Sequence, residues 1–370
     1  MKSAVWFLLC FLSGTLSLSG ETIPQKYPSY AYVLSEFDID ASYAYDRVFE
    51  TFVQHHDIQF KRLYKRSQQR GEFLLPMLQR QLIEAGLSDL LAYLPMIESG
   101  FHTDIQSPKK AKGLWQFMPS TATEYNLTVC HSYDERCDPV NATEAAVLHL
   151  QRLYRKFGKW YLAVMAYNCG EGRVSQAIRK AGSDELSTLI DERAKYLPKE
   201  TREYIKRFLL VAMIGESETI DFGNINTSQE SGIVQVEVKG GTDLRDIALL
   251  LKMESEVLAS LNSQYKKGRV TSGPGSYKIA IPYEKLIRFY LHYNPVPEEA
   301  AEVADRKEHF VSHIVSEGET LKKIAEKYRT SIPEIRAANH LRESNLLPER
   351  LLIIPVTEEK FESLVRGQSQ

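Results

Sequence analysis

Two segments in the C-terminal part of the chain repeat each other, and this repeat constrains the fold more than any other feature. Five residues of the first segment recur at one constant offset in the second. Gly241, Leu244, Ile247, Ala248 and Asn262 match Gly318, Leu321, Ile324, Ala325 and Asn339. Because each copy opens and closes with an alternating or apolar run, we predict strand, helix, helix, strand in both. These α+β modules would cover residues 232–285 and 311–357, with a linker at 286–310 and a tail at 358–370.

A long stretch before the repeat has apolar residues at helical spacing and no convincing strand alternation. One predicted helix begins near Phe73 and stops at Gly86, and the last begins at Pro198. Their apolar faces comprise Leu75, Leu78, Leu82 and Ile83 in the first helix, and Tyr204, Phe208 and Ala212 in the last. We therefore predict an all-α domain over residues 66–220. Residues 21–65 are aromatic-rich and weakly patterned, and we predict an N-terminal arm that packs on this domain.

Composition and the N-terminal segment limit the class of protein. The 370-residue chain has a formal net charge of −2 and no basic face or tail, so a nucleic-acid partner is not expected. Residues 1–20 are typical of a signal peptide, with Lys2 ahead of an apolar run that is too short to span a membrane. We expect an exported soluble protein. A lipid anchor is the lesser alternative, because Leu8 and Leu9 precede Cys10 where small residues would be preferred.

Export permits disulfides, and three cysteines remain after removal of the signal peptide. Cys130 and Cys137 bracket a short polar loop that a disulfide could close, although spacing alone does not establish the geometry of a bridge. Cys169 is better interpreted as a small buried thiol than as a nucleophile. No metal-ligand cluster is recognisable among the nine histidines, and we predict neither a metal nor a cofactor.

One acid lies in an apolar segment, where Glu98 follows Leu94, Pro95, Met96 and Ile97. A carboxyl group in apolar surroundings is pushed toward its neutral form. It then becomes a proton donor near neutral pH, as cleavage of a glycosidic bond requires. The alternative is an acid at a helix end with its carboxylate in water, which is the commonest environment of a glutamate.

Four short blocks, one of them around Glu98, resemble the signature of the lytic transglycosylases of the soluble-lytic-transglycosylase type. The blocks are Glu98-Ser99-Gly100-Phe101, Ser107 with Gly113-Leu114-Trp115-Gln116-Phe117-Met118-Pro119-Ser120-Thr121-Ala122, Ala166-Tyr167-Asn168-Cys169-Gly170, and Glu200-Thr201-Arg202-Glu203-Tyr204. Their order over about a hundred residues is far more specific than any single motif. One departure is that Lys109 and Lys110 occupy the place of the family's usual small pair, which concerns the shape of a loop and not the acid. The resemblance implies a lysozyme-like helical fold and a peptidoglycan substrate.

The resemblance also implies a role for each matched residue. Glu98 would be catalytic, and Tyr167 would hydrogen-bond to it and orient it. The implied substrate-binding residues are Ser107, Gln116, Met118, Asn168, Glu200 and Tyr204. Several residues have purely structural alternatives: Tyr167 and Met118 as core residues, Gln116 as a donor to a loop carbonyl, and Glu200 as a first-turn charge favoured by the helix dipole.

The implied reaction cleaves the MurNAc-β-1,4-GlcNAc bond with formation of 1,6-anhydro-N-acetylmuramic acid, and the substrate's own hydroxyl is the nucleophile. Glycosidases ordinarily need two carboxylates, and Asp104 is the nearest second acid in the sequence. A goose-type-like hydrolytic lysozyme is therefore the alternative enzyme. A non-catalytic protein that binds cell-wall glycan is the alternative from another class.

The two repeats resemble the LysM glycan-binding module, the second strongly and the first loosely. The first lacks the family's Gly-Asp-Thr-Leu register and carries a longer glycine-rich turn, so a spacer that binds nothing is its alternative. The resemblance implies binding of GlcNAc-containing glycan, and we expect a chain that ends near Ser217 to keep activity but lose wall affinity. It also implies the periplasm or cell envelope as the location, with peripheral outer-membrane association as a further option.

Overall fold

The structure is a computed structural model. It describes residues 21–221, 232–272, 276–293, 309–316, 318–339 and 351–367. The predicted signal peptide and residues 294–308 of the predicted linker lie outside these ranges. The chain divides into two compact units: one combines Met1–Ser67 with His149–Ile225, and the other combines Gln68–Leu148 with Asn226–Gln370. Within the described ranges, no helix is both long enough and apolar enough to cross a membrane.

Helices make up the regular structure of residues 21–221, and the β-pairing described there is confined to isolated bridges. The helices are α1 (Ile23–Lys26), α2 (Tyr30–Glu36), α3 (Arg47–Arg70), α4 (Leu74–Glu84), α5 (Tyr93–Ser99), α6 (Pro119–Glu124), α7 (Pro139–Phe157), α8 (Trp160–Cys169), α9 (Glu171–Ala181), α10 (Leu186–Leu189) and α11 (Lys199–Asp221). The predicted all-α character of this region is confirmed.

The N-terminal arm is more regular than its sequence indicated, because α3 is a helix of 24 residues. Its buried apolar residues are Phe49, Val53, Phe60 and Tyr64, which recur at helical spacing. Ahead of α3, Phe37 packs edge-to-face on Phe208 of α11, with ring centroids 4.6 Å apart. The carbonyl of Phe37 also accepts a hydrogen bond of 3.2 Å from the backbone N–H of Tyr161. The arm is thus part of the helical core, and its predicted end at residue 65 falls inside α3.

The buried face of α4 differs from the predicted one. The buried residues are Leu74, Met77, Leu78 and Leu82. These positions form one stripe along the helix, and residue 83 lies about 100° further round. Ile83 is accordingly 57% exposed, so its predicted place on the buried face was wrong. The predicted stop at Gly86 is confirmed: its φ of +71° is a conformation that a residue without a Cβ adopts freely.

Each repeat folds into strand, helix, helix, strand, as predicted. The first comprises β1 (Ile233–Lys239), α12 (Leu244–Leu251), α13 (Ser255–Leu261) and β2 (Ser276–Pro282), and is followed by α14 (Leu286–Tyr293). The second comprises β3 (His309–Ile314), α15 (Leu321–Tyr328), α16 (Ile332–Ala338) and β4 (Leu351–Val356), and is followed by α17 (Glu358–Gly367). Strand β1 pairs antiparallel with β2, and β3 pairs antiparallel with β4.

Two segments predicted as linker and tail are helical instead. Helix α14 occupies the start of the predicted linker and buries Leu286 and Phe289 in the core of the first module. Helix α17 occupies most of the predicted tail and packs Phe361 against the core of the second module. The first module therefore runs to residue 293 and not to residue 285.

The asparagine shared by the two repeats closes each module. The Nδ2 of Asn262 donates to the carbonyl of Ala280 at 2.7 Å, and its Oδ1 accepts from the N–H of Ala280 at 2.7 Å. Asn339 makes the same pair of hydrogen bonds with Ile353, each 2.6 Å long. The side-chain amide thus makes the pair of hydrogen bonds that the backbone of a neighbouring strand would make. It connects the end of the second helix to the closing strand.

Candidate active site

Glu98 lies in the last turn of α5, and its side chain is half-buried. Leu94 and Met96 of the same helix are fully buried. After the helix, Gly100 and Phe101 both have left-handed φ values, +59° and +62°. This conformation costs a residue that has a side chain about 1–2 kcal/mol. The surroundings of Phe101 must therefore hold the turn that follows Glu98.

Ser99 joins the block of the predicted acid to the next block. It is 6% exposed, and its hydroxyl lies 2.9 Å from the carbonyl oxygen of Leu114 and 3.0 Å from that of Pro95. Leu114 is in the loop of residues 105–118, which carries three of the predicted substrate-binding residues. The motif comparison assigned no role to Ser99, and the structure gives it one: it connects the helix of the acid to this loop.

Two predicted substrate-binding residues hold the backbone of their own loop. Ser107 Oγ accepts a hydrogen bond of 3.0 Å from the N–H of Ala111. Gln116 Nε2 donates to the carbonyls of Gly113 at 2.8 Å and Ile105 at 3.1 Å. Gln116 is therefore a donor to carbonyls of its loop, which is the structural alternative stated for it above. Contact of either side chain with a sugar stays a prediction.

Two other residues of the loop are exposed. Met118 is 41% exposed, so its structural alternative as a core residue is wrong. Lys110, which replaces a small residue of the family pattern, has a φ of +69°. The backbone thus takes the conformation that glycine would adopt, at a cost of about 1 kcal/mol or more. The turn at Lys110 thus has a glycine-like backbone conformation, although a lysine replaces the small residue of the family pattern.

A buried ion pair supports the 105–118 loop. Arg136 and Asp134 are 5% and 2% exposed, and the guanidinium donates to the two carboxylate oxygens at 3.0 and 2.9 Å. The same guanidinium donates to the carbonyls of Lys110 at 3.0 Å and Phe117 at 3.2 Å. Lys112 adds an ion pair with Asp134 at 3.2 Å. Burial alone would raise the pKa of Asp134, but the hydrogen bonds and charges of Arg136 and Lys112 outweigh burial and lower the pKa.

Gly113 lies directly against the backbone of Arg136. A Cβ built on Gly113 would lie 1.7 Å from the carbonyl oxygen of Arg136. We expect Gly113→Ala to displace the loop and destabilise the protein by about 3 kcal/mol, with loss of activity. Gly172→Ala is the control, since nothing lies within 4 Å of that site, and its stability should change by no more than about 1 kcal/mol. Equal stabilities of the two variants in chemical denaturation would contradict this account of the loop.

Asp138 caps the N-terminus of α7. Its Oδ1 accepts hydrogen bonds from the N–H groups of Val140 at 2.9 Å and Asn141 at 3.1 Å. The residue is 3% exposed. Burial raises the pKa of Asp138 to about 6; the two backbone bonds oppose the shift, and the charges of Glu135 and Glu144 add to it. The cap is therefore an acid that folding favours in its protonated form.

This raised pKa predicts a pH-dependent stability. The contribution of Asp138 is fully present below the unfolded pKa of about 3.9 and is lost as the pH rises through about 6. Asp138→Asn keeps a cap oxygen without charge. Its free energy of unfolding, relative to that of the wild type, should therefore rise by about 2–3 kcal/mol as the pH is raised from about 4 to about 7. Asp40→Asn is the control, because Asp40 is an exposed cap whose pKa is lowered by hydrogen bonds from Ser42. Denaturation curves at both pH values test this, and parallel behaviour of the two variants would refute it.

The other predicted site residues belong to the unit that contains residues 149–225. Tyr167 and Asn168 are half-buried near the end of α8, and Asn168 Oδ1 accepts a hydrogen bond of 2.9 Å from Thr201 Oγ1. This bond brings the block of Tyr167 together with the block of Glu200. Glu200 is exposed in the first turn of α11, and Tyr204 is 4% exposed.

His149 is a neighbour of Tyr167 that motif reasoning missed. The two rings lie 5.5 Å apart between centroids. Burial, helped by the charge of Arg152 and opposed by Glu171, lowers the pKa of His149 to about 4. The imidazole is therefore neutral at physiological pH. Nothing in the motif pattern points to His149, because the contact joins two different helices.

Cys130 and Cys137, for which the sequence left a disulfide open, are free thiols in the structure. Cys137 is buried, whereas Cys130 is exposed. The loop between them is closed by backbone pairing instead, including a hydrogen bond of 2.8 Å from the N–H of Cys130 to Tyr133. Burial raises the pKa of the half-buried Cys169 thiol, which is typical of an unreactive cysteine. Among the described residues, no group of three or more His, Cys, Asp or Glu side chains could hold a metal ion.

Three family models match successive parts of the chain. The model described as Transglycosylase SLT domain matches residues 77–190. The model described as Lytic transglycosylase MltD, LysM-like domain matches residues 232–297, and the LysM domain model matches residues 313–355. Successive parts of the chain therefore match an SLT domain and, after it, two LysM-type domains.

Among individual proteins, the chain is similar to membrane-bound lytic murein transglycosylase D of Escherichia coli. The identity is 31% over 269 residues, which cover 71% of this chain and 59% of that relative. A putative tributyltin chloride resistance protein of an Alteromonas species is 43% identical over 89 residues, or 24% of this chain and 43% of the relative. The soluble lytic murein transglycosylase of Escherichia coli is 31% identical over 119 residues, which cover 30% of this chain and 18% of that relative.

Solved structures of lytic transglycosylases resemble parts of the chain. An inactive mutant of the enzyme Slt from Pseudomonas aeruginosa is 24% identical, with a TM-score of 0.33. The match covers 38% of this chain and 24% of the chain of that enzyme. The 70-kDa soluble enzyme of Escherichia coli is 21% identical, with 50% and 28% coverage and a TM-score of 0.31.

Proposed function

We propose that the protein is a peptidoglycan lytic transglycosylase that acts in cell-wall turnover and remodelling. It would cleave the MurNAc-β-1,4-GlcNAc bond and form 1,6-anhydro-N-acetylmuramic acid. The observation that carries this proposal is the match of residues 77–190 to the SLT family, because this segment contains Glu98 in its motif block at the end of α5. Two lytic murein transglycosylases among the relatives support the same reaction class.

A single acid suffices for this reaction because the substrate supplies the nucleophile. Glu98, as a carboxylic acid, gives its proton to the bridging oxygen while the bond from that oxygen to C1 of the muramic acid breaks. The C6 hydroxyl of the same muramic acid forms a new bond to C1. The Glu98 carboxylate takes the proton of that hydroxyl and is ready for another cycle. One C–O bond replaces another, and no water is consumed.

The other motif residues support this acid. Tyr167 would orient Glu98 by a hydrogen bond, and the neutral ring of His149 packs against Tyr167. The residues proposed to contact sugar or stem peptide are Ser107, Gln116, Met118, Asn168, Glu200 and Tyr204. The exposure of Met118 and Glu200 supports such contact, whereas Tyr204 is only 4% exposed.

We propose that the second LysM-type domain, residues 313–355, binds GlcNAc-containing glycan and holds the enzyme on the wall. A binding module joined to a catalytic domain raises the effective concentration of substrate without new catalytic contacts. The signal-like N-terminal segment and the substrate support export to the periplasm or cell envelope. Peripheral association with an outer membrane is compatible with this location.

Replacing the proposed catalytic acid tests the central role. We expect Glu98→Gln to lose at least about three orders of magnitude in rate while glycan binding persists, because one residue performs both proton transfers. Glu84→Gln, an exposed glutamate at the end of α4, should keep the wild-type rate. Release of soluble muropeptides from sacculi measures the rate. Wild-type cleavage by Glu98→Gln would remove Glu98 from the mechanism.

Removing the second LysM-type domain tests its role in wall binding. We expect a chain that ends after Tyr293 to keep its activity on soluble muropeptides and to bind intact sacculi at least about 10-fold less well. The cut lies after Tyr293, and not near Ser217 as the sequence suggested, because the first module contacts Thr103. Equal binding of sacculi by the full and shortened chains would rule out this role.

A further inference from the structure

The first LysM-like module, residues 232–293, packs on the segment that follows Glu98. Thr103 is 4% exposed, and its hydroxyl donates to the carbonyl of Ser260 at 2.5 Å. The same hydroxyl lies 2.9 Å from the hydroxyl of Ser263. The end of α13 therefore fixes a residue that lies only a few positions after the proposed acid.

A second contact reaches the ion pair that supports the 105–118 loop. Tyr133 and Tyr265 form an antiparallel bridge with ring centroids 5.2 Å apart, and Tyr133 packs against the core of the module. The N–H of Asp134 donates to the carbonyl of Gln264 at 3.2 Å. Asp134 is the partner of Arg136 in the ion pair that supports the 105–118 loop. The module therefore contacts both the segment that follows Glu98 and this ion pair.

A third contact lies at the start of the module. A Cβ built on Gly232 would lie 3.2 Å from the backbone N of Met77 and 3.3 Å from the carbonyl oxygen of Phe73. The backbone of the module thus lies directly against the first turn of α4. Three contacts on separate elements fix the orientation of the module on residues 68–148.

The turn between Glu98 and Thr103 needs such support. Gly100 and Phe101 both have left-handed φ values, and Phe101 is 2% exposed. On one side of this turn, Arg70 Nε donates to the carbonyl of Gly100 at 2.7 Å. On the other side, Thr103 is held by the module. A strained turn that is fixed at both ends keeps one conformation, and with it the position of the helix end that carries Glu98.

We propose that the first module is a positioning element for the catalytic acid and that Thr103 is the positioning residue through which it acts. This inference rests on the proposed function. It assigns the module a role that its resemblance to glycan-binding modules does not imply. Because the module touches no reacting atom, its effect should fall on the rate of the chemical step and not on substrate affinity.

Three variants of the full chain test the role of Thr103. On a soluble muropeptide oligomer, we expect Thr103→Val to lower kcat at least about 10-fold with KM unchanged within about two-fold. Thr103→Ser, which keeps the hydroxyl, should return kcat to within about three-fold of the wild type. Thr242→Val is the matched control, because it removes a hydroxyl bonded to the carbonyl of Lys239 within the module. A folded Thr103→Val enzyme with the wild-type kcat would overturn the proposal.

A measurement that needs no activity separates this inference from the proposed function. A specific protease site is inserted between residues 224 and 229 of the full chain, and the cleaved protein is run on a sizing column. We expect the two fragments to elute together, and Thr103→Val to weaken their association. Fragments of the cleaved wild type that elute separately would overturn the docking. An inactive wild type whose fragments stay together would contradict the proposed function alone.

Discussion

The buried guanidinium of Arg136 holds the loop on which the proposed site depends. It combines a bidentate pair with Asp134 and two hydrogen bonds to the backbone carbonyls of Lys110 and Phe117. Removing one partner of such a pair leaves an uncompensated buried charge and costs about 3–5 kcal/mol. Gly113 completes the arrangement, since its missing Cβ gives the carbonyl of Arg136 its space. The geometry of the loop is therefore set by an arginine that lies outside the motif blocks.

Much of the fold could be predicted because local rules decide it. Gly86 ends α4 at a positive φ, and the repeated glycines Gly241 and Gly318 have φ values of +80° and +73°. The repeated Asn262 and Asn339 make the same two hydrogen bonds to the closing strands. In each case a residue type with one special property occupies the position that needs it, so a single sequence reveals the requirement.

The parts that could not be predicted depend on contacts between distant segments. The aromatic residues of the arm formed no obvious pattern, yet Phe37 packs on Phe208 across the helical core. Cys130 and Cys137 have a spacing that permits a disulfide, but one is buried and the other is exposed. Ser99 and Thr103 are small polar residues whose partners, Leu114 and Ser260, are known only once the chain is folded. The site therefore had more supporting residues than its motifs indicated.

The identity of the nucleophile separates the proposed transglycosylase reaction from hydrolysis. Mass spectrometry of sacculi digested by the wild-type protein in heavy-oxygen water tests it most directly. If the C6 hydroxyl of the substrate attacks, every new end is 1,6-anhydro-N-acetylmuramic acid and contains no oxygen from the solvent. Reducing-end muramic acid that carries one heavy oxygen would show that water attacks, and would contradict the transglycosylase reaction proposed for Glu98.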